Sequence, residues 1–163
     1  MVLALLPTTA FTQTRKRSAG KSTSRPPAVK KTPEALQNGA THVADQIKAL
    51  SRFLYLLGGV AKGIEAVDDA VRRNEASPAI VQQTQKNKAS LKASLESVRE
   101  GMDKLEIDFR TTPELQRYYI KLAGVASGAA TAEQQAANNQ FDQAGRSLLG
   151  VVNRLTDVLL EMR

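Results

Sequence analysis

The chain has 163 residues, no cysteine, one histidine and a formal net charge of +7. Without a thiol, disulfides, thiolate catalysis, zinc–thiolate sites, iron–sulfur clusters, covalently attached haem and a bacterial lipoprotein anchor are excluded. A single histidine, His42, also excludes multi-histidine metal sites, and the abundance of Ala, Leu, Val, Gln, Lys and Glu beside few aromatics favours helix over sheet.

The charge is concentrated at one end. Arg15, Lys16, Arg17, Lys21, Arg25, Lys30 and Lys31 lie in the first 33 residues, which contain no acid. Beyond them, 16 basic residues balance 16 acidic ones. Attraction to nucleic acid, anionic lipid or an anionic envelope polymer is therefore expected from this arm, and those seven residues are the polyanion-binding candidates.

Residues 1–12 read as a truncated signal peptide. Val2–Leu6 supply a short apolar run, and Ala10 and Thr12 are small residues before a cut that would leave Gln13 first. The run is shorter than usual and no basic residue precedes it, which a start assigned too late would explain. A plain disordered arm and an organelle transit peptide are the alternatives. Residues 13–32 are rich in Lys, Arg, Ser and Pro and bury too little apolar surface to order themselves, so disorder is expected. No aromatic is interleaved for base stacking, which favours a solvated spacer over a nucleic-acid-binding arm.

Helix starts recur along the rest of the chain. Thr32-Pro33-Glu34, Ser77-Pro78 and Thr112-Pro113-Glu114 each place a hydroxyl before a proline. The hydroxyl oxygen accepts from a free N–H of the first turn, and proline there forfeits no hydrogen bond. A fourth start is expected at Asn139, with Asp142 three residues on. The expected helices are 33–74, 78–110, 113–137 and 140–162.

Apolar residues recur at spacings of three and four, as in Val43, Ile47, Leu50, Leu54, Leu57, Ala61 and Ile64, and again in Leu91, Leu95, Val98, Met102, Leu105 and Phe109. The later stripes run through Leu115, Tyr119, Leu122 and Ala126, and through Leu148, Val152, Leu155 and Leu159. Short connections force antiparallel neighbours. The fold class is all-α: an up-down-up-down four-helix bundle over residues 33–163, with a long first hairpin projecting beyond the second. The most apolar stretch, Phe53–Ala61, is bounded by Arg52 and Lys62 and is far short of the ~20 residues of a membrane span, so it reads as bundle core.

Few residues suggest chemistry. His42 and Met162 should share one end of the bundle, where a histidine and a methionine could ligate b-type haem; the plainer reading is an exposed histidine and a core methionine. Gly59/Gly63 and Gly124/Gly128 have Gly-x-x-x-Gly spacing, so they are candidates for close helix contact or a homodimer face, against a tolerated or bending role. The acids from Glu65 to Asp108 mix with bases at helical spacings, as on a solvated face. Tyr118 and Tyr119 are expected to cover the packed end. No phosphate-binding loop, nucleophile elbow or zinc spacing occurs.

The expected function is a non-enzymatic, cofactor-free interaction or scaffold module, exported to a bacterial periplasm or envelope, with a protein partner and no membrane span. Two alternatives stand beside it. One is a cytoplasmic protein whose arm binds nucleic acid by charge; the other is a haem- or small-ligand-binding bundle.

Overall fold

The computed structural model describes residues 31–163; residues 1–12 and the arm up to Lys30 lie outside the described residues. Five helices follow: α1 (Lys31–Arg72), α2 (Pro78–Thr111), α3 (Gln116–Leu122), α4 (Val125–Ala137) and α5 (Phe141–Glu161). No strand occurs among the described residues, so the chain is all-α there.

The helix boundaries follow from local chemistry. Ser77 Oγ accepts from the Ile80 N–H at 3.4 Å, with Pro78 opening α2 as expected. Two asparagines in the left-handed region close helices. At Asn74 (φ 58°), the Glu75 N–H reaches the Ala70 carbonyl at 2.8 Å. At Asn139 (φ 60°), the Gln140 N–H reaches the Gln135 carbonyl at 2.8 Å. Both have the reverse-turn pattern that satisfies the last carbonyls of a helix. Asn139 therefore ends α4 and does not cap α5, correcting the expected fourth start; Gln140 precedes α5 without a side-chain cap.

The third start is also corrected. Thr112 is extended and closes α2, its N–H donating to the Asp108 carbonyl, and residues 113–115 form a turn before α3. The stretch expected as one helix over 113–137 is two. It breaks at Gly124, whose φ of +94° is open to glycine and strained for other residues.

α1 packs against α2 and α5, and α4 packs against the same two helices; α3 lies across α2 and α5. Side-chain contacts order the residues of neighbouring helices. His42 meets Asp108 at 3.6 Å while Asp68 meets Lys88 at 2.9 Å, so residue order along α1 and α2 is reversed. Arg154 Nη1 donates to the Ala123 carbonyl, and Ser147 donates to Gln135 farther up α4.

The core holds Leu50, Leu57, Leu95, Met102, Phe109, Leu148 and Leu155, each contributing roughly 1.5–3 kcal/mol on burial. α4 presents Ala126, Ala129, Ala132 and Ala136 inward, so it sits close to its neighbours. On α5 the expected Leu148 and Leu155 are buried, but Val151 and Val158 take the inward positions expected of Val152 and Leu159, which are half-buried. Tyr118 is buried and Tyr119 only half-buried, against the expected stripe.

Lys92 Nζ donates to the Ala137 carbonyl at the end of α4. The α1–α2 turn lies 14 residues of α2 farther on at Ser77–Pro78, about 21 Å at 1.5 Å per residue. The first hairpin therefore extends past the second. There Thr84 is buried while Val71 and Ile80 stay in water.

Candidate functional site

The outer surface of α1 and α5 carries apolar side chains that the core does not use. Tyr55 is 85% exposed and Leu56 is 61% exposed, with Leu149 and Leu160 above half on α5. Four apolar residues in a row, Leu54–Leu57, cannot all face one side of a helix. Leu57 takes the core position and Leu54 half of it; Tyr55 and Leu56 are turned outward. Part of the stretch expected as bundle core is thus surface. The signal was present, since Tyr55 and Leu56 fall off the Leu50–Leu57–Ala61–Ile64 spacing.

A shallow groove follows the α1–α5 boundary, lined by Leu54, Gly58, Ala61, Gly145 and Leu149, with Asp142 and Arg146 at its rim. A second apolar spot lies outward on α1, around Tyr55, Leu56 and the stem of Arg52. Both are open surfaces without convergent polar groups.

Titratable side chains pair both within helices and between them. Arg99 donates to Glu133 at 2.7 Å and to Asp103 at 2.9 Å, and the Glu133 hydrogen bond holds its guanidinium above the usual arginine range. Lys121 meets Glu161 at 2.8 Å, and that hydrogen bond raises the ammonium above its ordinary value. Arg72 is raised by its hydrogen bond to Asp69. No cluster of three or more His, Asp or Glu side chains that would hold a metal gathers among the described residues. No described helix is long and apolar enough to cross a membrane.

The sequence candidates are dispersed. Arg15, Lys16, Arg17, Lys21, Arg25 and Lys30 lie outside the described residues, and Lys31 begins α1. The His42 ring is 61% exposed and turns toward Asp108 in the outer α1–α2 groove. Met162 is half-buried; its methyl group and Leu115 lie against Gly39, where an added Cβ would meet both. The structure places the two residues on different neighbours.

The glycines divide by role. A Cβ at Gly128 would lie 2.7 Å from Val151 Cγ2, and one at Gly124 would lie 2.6 Å from Arg154 Nη1. This pair serves the close α4–α5 approach. Added Cβ atoms at Gly58, Gly59 and Gly63 would meet nothing within 4 Å. No contact inside the fold requires a glycine there.

No protein-family model, curated protein or solved structure matches the chain.

Proposed function

We propose that the chain is a non-enzymatic interaction or scaffold module, an up-down-up-down bundle that binds a protein partner through its outer helix faces. The observation that carries this reading is the apolar surface left in water, above all Tyr55, Leu56 and Leu149, on a bundle whose interior is filled by side chains. Exposed apolar side chains grouped on packed elements are the usual mark of a contact surface. Export to a bacterial envelope belongs to the same reading and rests on Val2–Leu6 and the small residues after them; a mature chain beginning near Gln13 is its expected signature.

The test is photo-crosslinking in native cells, with the reactive side chain at Leu149 or Leu160 and an exposed polar control at Gln85. A discrete adduct to another polypeptide is expected from at least one apolar position and not from the control. Equal, featureless labelling at all three positions would overturn the reading.

A second reading is favoured by the charge distribution: the whole net charge of +7 resides in the arm, while residues 34–163 are neutral. In a cytoplasmic protein such an arm would bind nucleic acid with steep salt dependence and little sequence preference. Deleting residues 13–31 should abolish that binding. Binding that survives the deletion would remove this reading.

A further inference from the structure

We propose that the chain docks on an anionic lipid surface through the outer edge between α2 and α3, with the basic arm supplying the attraction and Ile120 the apolar contact. This goes beyond the partner-binding reading and uses neither the α1 nor the α5 surface.

The edge is apolar where a solvated helix would be polar. Tyr118 and Leu122 are the buried residues of α3, so Ile120, midway between them, is turned outward. It is 81% exposed, more than any other large aliphatic side chain among the described residues. The preceding Tyr119 is half-buried and lines a groove shared with Ile107 and Arg110 of α2. Ile107 itself is more than half exposed.

Unpaired cations border this edge. Arg117 lies one turn before Ile120, and its guanidinium stands over the Tyr118 ring, 4.5 Å from the centroid. That contact steadies the side chain while its charge stays at the surface. Neither Arg117 nor Arg110 makes an ion pair among the described residues. Lys121 is paired with Glu161 and adds no net charge. The acids of the groove are engaged inside the fold: Asp103 pairs with Arg99, and Glu106 accepts from the Gly124 and Ala126 N–H groups.

The arm joins the bundle at this end. Gly39 on α1 lies against Leu115, the residue before α3. α1 begins eight residues earlier, at Lys31, about 12 Å farther along the helix. The seven cations of the acid-free first 33 residues are thus tethered beside the Ile107–Ile120 edge.

A polybasic segment is drawn to anionic headgroups by the surface potential, and salt weakens that attraction. A shallow apolar insertion holds a protein poorly alone but adds to such attraction. Single-stranded nucleic acid would use the same cations together with open aromatic rings; here isoleucines protrude and the two tyrosines are covered or half-covered. Cations around protruding aliphatic side chains fit a headgroup layer over an acyl interior.

The probes are vesicles of phosphatidylcholine alone and vesicles that also contain phosphatidylglycerol. The full chain should sediment with the second and not the first, and less as salt rises. Ile120→Gln should weaken binding to the anionic vesicles about tenfold and leave the thermal midpoint within about 2 °C of native. Because the chain has no cysteine, a polarity-sensitive dye placed at Ile120→Cys should shift to the blue on anionic vesicles, whereas one at Gln85→Cys, on the projecting hairpin, should not. The vesicles contain no protein, so failure here leaves the partner-binding reading untouched. Equal binding to both vesicles, Ile120→Gln binding as tightly as the native chain, or equal dye shifts at the two positions would overturn the proposal. So would a chain that binds a single-stranded oligonucleotide at physiological salt and ignores the anionic vesicles, which would assign the arm to nucleic acid.

Discussion

Glu106 on α2 caps the first turn of α4 at Gly124. One carboxylate oxygen accepts from the Gly124 N–H at 2.8 Å and from the Ala126 N–H at 2.9 Å. A helix start leaves N–H groups without intrahelical partners, and local side chains usually satisfy them. Here the acceptor comes from another helix, 18 residues earlier. The negative charge also lies at the positive end of the α4 dipole.

Glu106→Ala should therefore destabilise the fold by about 1–2 kcal/mol. Glu106→Gln, which keeps an acceptor oxygen, should lose less. Urea unfolding at neutral pH checks this: the midpoint should fall in the order native, Gln, Ala with little change in slope.

Two glycine substitutions should have opposite signs. Gly124→Ala forces a side chain onto a φ of +94° and into Arg154, and should cost about 1–3 kcal/mol. Gly58→Ala fills open space in a helix interior, and should stabilise by up to about 1 kcal/mol. Thermal unfolding of the two variants under one set of conditions is sufficient.

The projecting hairpin is held by Lys88 and Asp68. The Lys88 side chain is only 12% exposed and contacts both Asp68 oxygens, at 2.9 and 3.0 Å. Asp68→Asn leaves a mostly buried ammonium without its counter-charge, whereas Lys88→Met removes the charge that needed one. Asp68→Asn should thus cost more than Lys88→Met. Amide exchange near Val67–Lys88 should accelerate in Asp68→Asn, while the amides around Leu148 and Leu155 keep their protection.

Lys121 and Glu161 join α3 to the end of α5. The folded ammonium titrates above its ordinary value of 10.5 because of the Glu161 hydrogen bond and charge. Its contribution to stability is therefore fully present below the ordinary lysine value and disappears as pH rises through the folded value. The pair is exposed, so the effect is small. Lys121→Met should melt slightly below the native chain by a constant margin from about pH 6 to 9. The margin should close in more alkaline solution.

Helices were legible from spacing alone because a packed helix must place an apolar residue inward at every turn, and Leu50, Leu57, Leu95, Met102 and Leu148 do so. Ser77 was legible as a cap because serine followed by proline satisfies the first turn locally. What misled was ambiguity in short polar motifs. Asn139 can open a helix through its side chain or close one through left-handed backbone, and the backbone bonds from the Asn139 N–H to Ala136 and from the Gln140 N–H to Gln135 select closure. Thr112-Pro113 likewise marks a turn as well as a start. The break at Gly124 depends on Glu106 and Arg154, distant residues that no local pattern reveals. The outward Tyr55 and Leu56 were hidden in an apolar run whose composition suggested interior. His42 and Met162 do share one end, Met162 lying against Gly39 one turn from His42, but they face different neighbours, and the two glycine pairs differ in role, because residue identity does not fix which neighbour a face meets.

The central claim is that this bundle acts through apolar side chains on its outside and not through its filled interior. The most direct measurement is the double substitution Leu149→Gln with Leu160→Gln, read for both thermal stability and the size of the native complex in cell extracts. Both residues are more than half exposed, so the thermal midpoint should stay within about 2 °C of native while the complex shifts to a smaller size. A complex of unchanged size, or a midpoint many degrees lower, would contradict the account.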